Sequence, residues 1–127
     1  MKDFRELKVW QKAHALTLAV SRTTASFPRK EQYRLTSQIR RARSSIAANL
    51  AEGCGRNSMR STLASGDAEF ARFCSIAMGS AGELKYHLIL AKDLKLIKPA
   101  DYEELTPRAT ELKRMLTALM QQLKADC

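Results

Sequence analysis

The chain has 127 residues, 45% apolar and 28% charged, with 22 Lys and Arg against 13 Asp and Glu for a net charge of +9. This balance predicts one globular domain, residues 1–127, large enough for its own core, and the basic excess points to polyanionic partners. No run approaches the ~20 apolar residues of a membrane span, and MKDFRELKVW lacks the continuous apolar stretch of a signal peptide. A cytoplasmic location with no membrane contact is therefore expected.

Leu, Ala, Arg, Lys, Gln and Glu dominate, so helices are expected throughout. The first is predicted over 4–25, with Leu7, Trp10, Ala13, Leu16 and Val20 on its apolar face, and ends before Phe27-Pro28 because the residue ahead of proline avoids the α region. A short helical turn is read around Lys30 to Arg34. The second helix is predicted over 36–53, with Thr36 as N-cap and Gly53 and Gly55 as stop signals.

The second helix carries two stripes. Leu35, Ile39, Ala42, Ile46 and Leu50 form the apolar one. A polar ladder runs beside it: Gln38, Arg41, Ser45, Asn49, Glu52 and Arg56, in steps of 3, 4, 4, 3 and 4. Uncharged Ser and Asn among charges imply specific partners, either neighbouring helices or a bound ligand. On the structural reading, Glu52 meets a buried cation.

Charge concentrates in the same region. Residues 29–60 hold Arg29, Lys30, Arg34, Arg40, Arg41, Arg43, Arg56 and Arg60 against Glu31 and Glu52, a net +6. Such a cluster attracts RNA or DNA. Arg40 and Arg43 lie on the helix flank away from the ladder. Arg56 and Arg60 stand at the entry to a polar segment, Asn57 to Gly66, read as the longest loop. These four arginines are the expected nucleic-acid contacts, through phosphates more than bases because aromatic residues are few.

The third helix is predicted over 67–95, with Phe70, Phe73, Ala77, Ala81, Leu84, Leu88 and Ala91 facing the core. Its opposite face, Ala71, Ser75, Gly79, Gly82, Tyr86 and Ile89, is small and uncharged. Ser75, Gly79, Gly82 and Tyr86 are therefore expected to pack against another subunit. The fourth helix is predicted over 101–124, with Asp101 and Glu104 as a capping pair and Leu105, Ala109, Leu112, Leu116, Leu119 and Leu123 as its stripe. Pro107 is expected to kink or restart it, with Thr106 as the alternative N-cap. Together the elements predict an all-α, antiparallel up-down four-helix bundle.

Catalytic and metal constellations are missing. Neither His14 nor His87 follows a Glu by three, so a di-iron bundle is not expected. Cys54, Cys74 and Cys127 have no zinc-ligand spacing. Cys74 reads as a small core residue. Cys54 beside Arg56 suggests a lowered thiol pKa, but no base partner is evident. Phosphate-loop, dinucleotide and nucleophile-elbow motifs are absent. A non-enzyme without cofactor or metal is expected, either a nucleic-acid-binding oligomer or a protein-interaction scaffold.

The segment LTSQIRRARSSIAANLAEGCGR, Leu35 to Arg56, resembles the signature of the four-helix-bundle family named for the protein encoded within the intervening sequence of large-subunit ribosomal RNA. FRELKVWQKAHAL, FPRKEQYRLTSQ and FARFCSIAMGSAGELKYHLILAKDL resemble it too, so the likeness spans roughly 4–97. The polar ladder is the polar part of that signature. The resemblance implies a homopentameric ring, a role near structured RNA, and kinship with accessory subunits of diversity-generating retroelements. Arg34 stands where the family usually has Gly, and Arg43 where it usually has a small apolar residue.

Overall fold

In the computed structural model, which describes residues 3–59 and 64–125, four long helices enclose one core. They are α1 (Lys8–Thr24), α3 (Ser37–Met59), α4 (Ala64–Asp93) and α5 (Pro99–Ala125), with a single turn α2 (Arg29–Glu31) between the first two. No strand occurs among the described residues. Successive long helices pack side by side, and α5 closes the ring against α1. Cross-helix contacts fix the direction of each pair. Ser45 meets Ser80 and Gly53 meets Phe73, Met78 meets Thr117 and Gly82 meets Lys113, and Lys8 lies near Gln122 while Ala19 lies near Leu105, so α3–α4, α4–α5 and α5–α1 are each antiparallel and α1 therefore opposes α3. The expected up-down topology is the one observed.

Boundaries depart from expectation for local reasons. The first predicted helix splits. Phe4–Glu6 is a separate 3-10 turn capped by Asp3, which accepts from the Arg5 backbone N–H at 2.8 Å, and extended Leu7 interrupts the path to α1. The Arg5 side chain and backbone N–H hold the Asp3 carboxyl down at about 2.

Thr36 is not an N-cap. Helix starts upstream at Arg29, just after Pro28, and Gln32–Thr36 winds as a π-helical turn into α3. Thr36 is buried within this turn, and its hydroxyl has no hydrogen-bond partner. Wider turns of this kind absorb an extra residue without ending a helix. Asp101 is no cap either, because α5 begins at Pro99, a residue suited to the first helical position. Pro107 lies inside α5 without ending it.

The glycines expected to stop the second helix do not. Neither adopts a positive φ, and α3 runs on to Met59. The expected loop Asn57 to Gly66 is helical on both sides of residues 60–63, which lie outside the described residues. The left-handed position that reverses the chain is Lys95 (φ 61°), after α4. There the Lys95 and Leu96 N–H groups bond to the carbonyls of Lys92 (3.0 Å) and Ala91 (2.9 Å), the Schellman pattern.

Gly53 has a packing role instead. A Cβ there would stand 2.8 Å from Phe73 Cβ and 2.9 Å from Phe70 Cδ1. Both aromatic residues are buried, Phe70 completely. The seam between α3 and α4 thus depends on a missing side chain. Gly55, two residues on, has nothing within 4 Å of the same position. Gly53→Ala is expected to destabilise the bundle by roughly 1–3 kcal/mol through overpacking. Gly55→Ala is expected to stabilise by about 0.5–1 kcal/mol through helix propensity alone. Urea denaturation of the two variants tests this, and equal effects would contradict the assignment.

Candidate nucleic-acid interface

The register set at Gly53 decides what each face of α3 presents. Leu35, Ile39, Ala42, Ile46 and Leu50 are buried, as the apolar stripe required. The polar ladder divides into two environments. In its middle, Asn49 Nδ2 donates to the Ser45 carbonyl (2.8 Å) and to Ser45 Oγ (2.9 Å). Ser45 Oγ in turn lies 2.8 Å from Ser80 Oγ on α4. Because Asn49 already donates to Ser45, the Ser45 hydrogen is free to reach Ser80. This chain of bonds ties α3 to α4 at half-buried positions. The ladder's ends are different: Gln38, Arg41 and Glu52 are exposed. At Glu52 the helix turns the residue toward solvent, while it keeps an interaction of its own. Arg56 is described only as α3 backbone, and Arg60 lies outside the described residues.

The basic residues also divide. Arg29, Lys30, Arg34, Arg40 and Arg41 are exposed. Arg43 is not free. Its Nη1 donates to the Thr17 carbonyl of α1 at 3.0 Å, and Thr17 Oγ1 lies within bonding distance of the Arg43 carbonyl (3.0 Å) and the Ala13 carbonyl (2.9 Å). Arg43 Nε is buried without a partner. Burial, with Arg40 nearby, lowers the pKa of this guanidinium from its ordinary value. The expectation that Arg40 and Arg43 act as an outward pair is thus half corrected. Position 43 points across the α1–α3 seam, where a long side chain extends to the nearest free carbonyl. The sequence offered one signal for this, an arginine where a small apolar residue is usual. Thr17, its partner, was not legible.

What remains on the outer surface of α3 is Ser37, Gln38, Arg40, Arg41, Ser44, Ala48, Glu52 and Gly55, all exposed. From Gln32 to Ala51 the sequence has no carboxylate. Ser44 Oγ donates to the Arg40 carbonyl (2.9 Å), so its hydroxyl is largely engaged while the two guanidiniums project. The N-terminal half of this surface offers the cationic donors of Arg40 and Arg41 and the amide of Gln38, and the carboxylate of Glu52 stands about three turns further along the helix.

Most of the small face of α4 is uncovered in the single chain, although Ala71 is buried in the core. Ser75 and Gly79 are exposed, Gly79 has nothing within 4 Å of the position a Cβ would take, and Tyr86 is 58% exposed. Ile76 and Ile89 beside them are also exposed. Gly82 is half-buried, with the Lys113 Nζ 3.7 Å from its Cβ position.

The remaining candidates are structural. Cys54 and Cys74 are buried free thiols. Burial pushes Cys54 up, contrary to the lowering expected from Arg56, and pushes Cys74 up to about 12. His87 is buried beside Glu83 (3.5 Å), and His14 stacks on Trp10 with ring centres 5.0 Å apart. No group of three metal-ligating side chains occurs among the described residues, and none of their helices is long and apolar enough to cross a membrane.

These features define a small antiparallel four-helix bundle with a basic outer helix. Residues 5–118 match the 23S rRNA-intervening sequence protein family, and the chain belongs to that family. The bundle is similar to the crystal structure of a protein of unknown function from the S23 ribosomal protein family of Bacteroides thetaiotaomicron. The likeness has a TM-score of 0.73 at 23% identity, covering 88% of this chain and 97% of that one. No curated protein matches the chain.

Since Arg43 is half-buried with an unsatisfied donor, replacing it by an apolar side chain of similar length removes a desolvation cost along with its bond. Arg43→Met is expected to alter stability by less than about 1 kcal/mol in the destabilising direction, or to raise it. A loss well beyond that in thermal or urea denaturation would show the Thr17 contact to be essential.

Proposed function

We propose that this protein is a cytoplasmic, non-catalytic, oligomeric nucleic-acid-binding protein that engages structured RNA through the outer face of α3. The observation that carries this reading is the carboxylate-free stretch from Gln32 to Ala51, with Arg34, Arg40 and Arg41 exposed along it. Membership of a family named for an rRNA intervening sequence supports RNA over other polyanions. The contacts are to phosphates, since the exposed side chains of α3 among the described residues include cations and no aromatic ring, which favours backbone over base recognition. Arg56 and Arg60 extend the same basic region along the chain; Arg43 contributes to its support and not to its contacts.

Binding to an RNA hairpin is expected to be largely independent of sequence and to weaken steeply as salt rises. Each of Arg34→Ala, Arg40→Ala and Arg41→Ala is expected to lower the slope of log K against log salt by about one. Arg43→Met is expected to leave that slope unchanged. Undetectable binding at low salt, or slopes indifferent to all three alanines, would overturn the reading.

The oligomer in this proposal is a homopentameric ring joined through Ser75, Gly79, Gly82 and Tyr86. Support comes from the exposed small and apolar residues along the outside of α4, where open space at Gly79 permits close approach of another backbone. Light scattering at micromolar concentration is expected to give the mass of a pentamer. Gly79→Leu, which the isolated bundle has room to accept, is expected to reduce that mass without loss of helix. A monomeric wild-type protein would refute the ring.

A further inference from the structure

A second surface differs from the α3 face in chemistry. Between α4 and α5 lies a groove with a cavity volume of about 360 Å³, lined by Met78, Lys85, Lys113, Arg114, Thr117 and Ala118 among others. It follows α5 from Thr110 to Gln121, about 16 Å at the rise of an α-helix. No carboxylate lines it. None of its three cations is in an ion pair among the described residues. The nearby Glu111, which feels the field of Arg114, has its carboxylate bonded to Lys12 at 2.7 Å.

The groove has two unlike ends. The helices are antiparallel, with Met78 opposite Thr117 and Gly82 opposite Lys113. Lys85 is therefore level with Thr110, and all three cations gather toward that end. The other end is uncharged, formed by Met78, Thr117, Ala118 and Gln121. Its one hydroxyl is already engaged, Thr117 Oγ1 lying 2.8 Å from the Lys113 carbonyl and 3.3 Å from Met78 Sδ.

We propose that this α4–α5 groove docks an acidic peptide segment of another protein, with carboxylates at the Lys85–Lys113–Arg114 end and an apolar side chain on Met78 and Ala118. Charge complementarity selects the acidic end of the ligand. The apolar end selects against a nucleic-acid strand, which carries phosphates at regular intervals and would set some of them over methionine and alanine. Methionine also adapts to differing apolar shapes, which suits peptide recognition. This surface is separate from the α3 arginines, so it stands or falls independently of RNA binding.

The test is fluorescence anisotropy of the full chain with a labelled synthetic peptide in which a run of glutamates precedes leucine and phenylalanine. Saturable binding is expected, weakened roughly tenfold by Lys113→Glu with Arg114→Glu. The charge-matched pair Arg40→Glu with Arg41→Glu should leave it intact, as a control for net charge. Met78→Gln should also weaken the peptide, but not a version lacking leucine and phenylalanine. Circular dichroism checks that each variant is folded. If the double reversal loses helix, Lys113→Gln with Arg114→Gln replaces it, with the same direction expected. No peptide binding, binding indifferent to the groove variants, or equal binding of the peptide without apolar residues would overturn the proposal. So would RNA that displaces the peptide and loses affinity through the same substitutions, which would make the groove a phosphate site. A drop in oligomer mass on reversing Lys113 and Arg114 would make the occupant a second copy and overturn it as well.

Discussion

The constraint on which the molecule depends is the close approach of α3 and α4 at Gly53. Two helices pack at a distance set by the side chains between them, and here one of those side chains is absent. Phe70 and Phe73 occupy the space a Cβ would take. That contact fixes the relative height of the helices, and the height brings Ser45 opposite Ser80. The hydrogen-bonded trio Asn49, Ser45 and Ser80 then opposes any slip along the helix axis, since a shift of one turn would leave half-buried polar groups unpaired. With position and rotation of α3 both fixed, its apolar stripe turns inward and Arg40 and Arg41 have no alternative to the outside.

Charge is not spread evenly over this frame. Two cations of α1 and α5 have acidic partners, Lys12 with Glu111 at 2.7 Å and Arg108 with Glu104 at 3.5 Å. Exposed pairs of this kind add little to stability. Their effect is to neutralise those two cations locally. On α3 the stretch from Gln32 to Ala51 supplies no carboxylate of its own. Of the net charge of +9, residues 29–60 carry +6. Long-range attraction of a polyanion depends on this focus more than on the total.

The helical class, the order of elements and nearly all of the core were legible because apolar spacing of three and four residues has one geometric solution. Ile39, Ile46, Leu84, Leu88, Leu112 and Leu116 all fell where periodicity put them, and all are buried. Glycine and threonine misled. Gly53 carries the same letter as a stop signal, and only the partner helix shows that it is a notch for Phe70 and Phe73. Thr36 looked like a cap because the π turn that contains it leaves no mark in hydrophobic pattern. Arg43 shows the limit for surface charge. A helical wheel gives its direction, but whether a long side chain ends in water or on a neighbour's carbonyl depends on where α1 leaves an acceptor. The α4–α5 groove was invisible for a similar reason, since Lys85, Lys113 and Arg114 come together only once two helices are laid side by side.

Cys54 adjoins Gly53 on the α3–α4 seam, and Cys74 lies in the wall of α4 opposite, both buried. Thiols alkylate as thiolates, and burial holds Cys74 at about 12 and Cys54 above its ordinary value. In the closed bundle both are therefore chemically silent. A reagent reaches them only while the two helices part, so the labelling rate of each sulfur is a clock for that opening. Comparing the clock with global unfolding would separate a seam that breathes on its own from one that yields only with the entire fold.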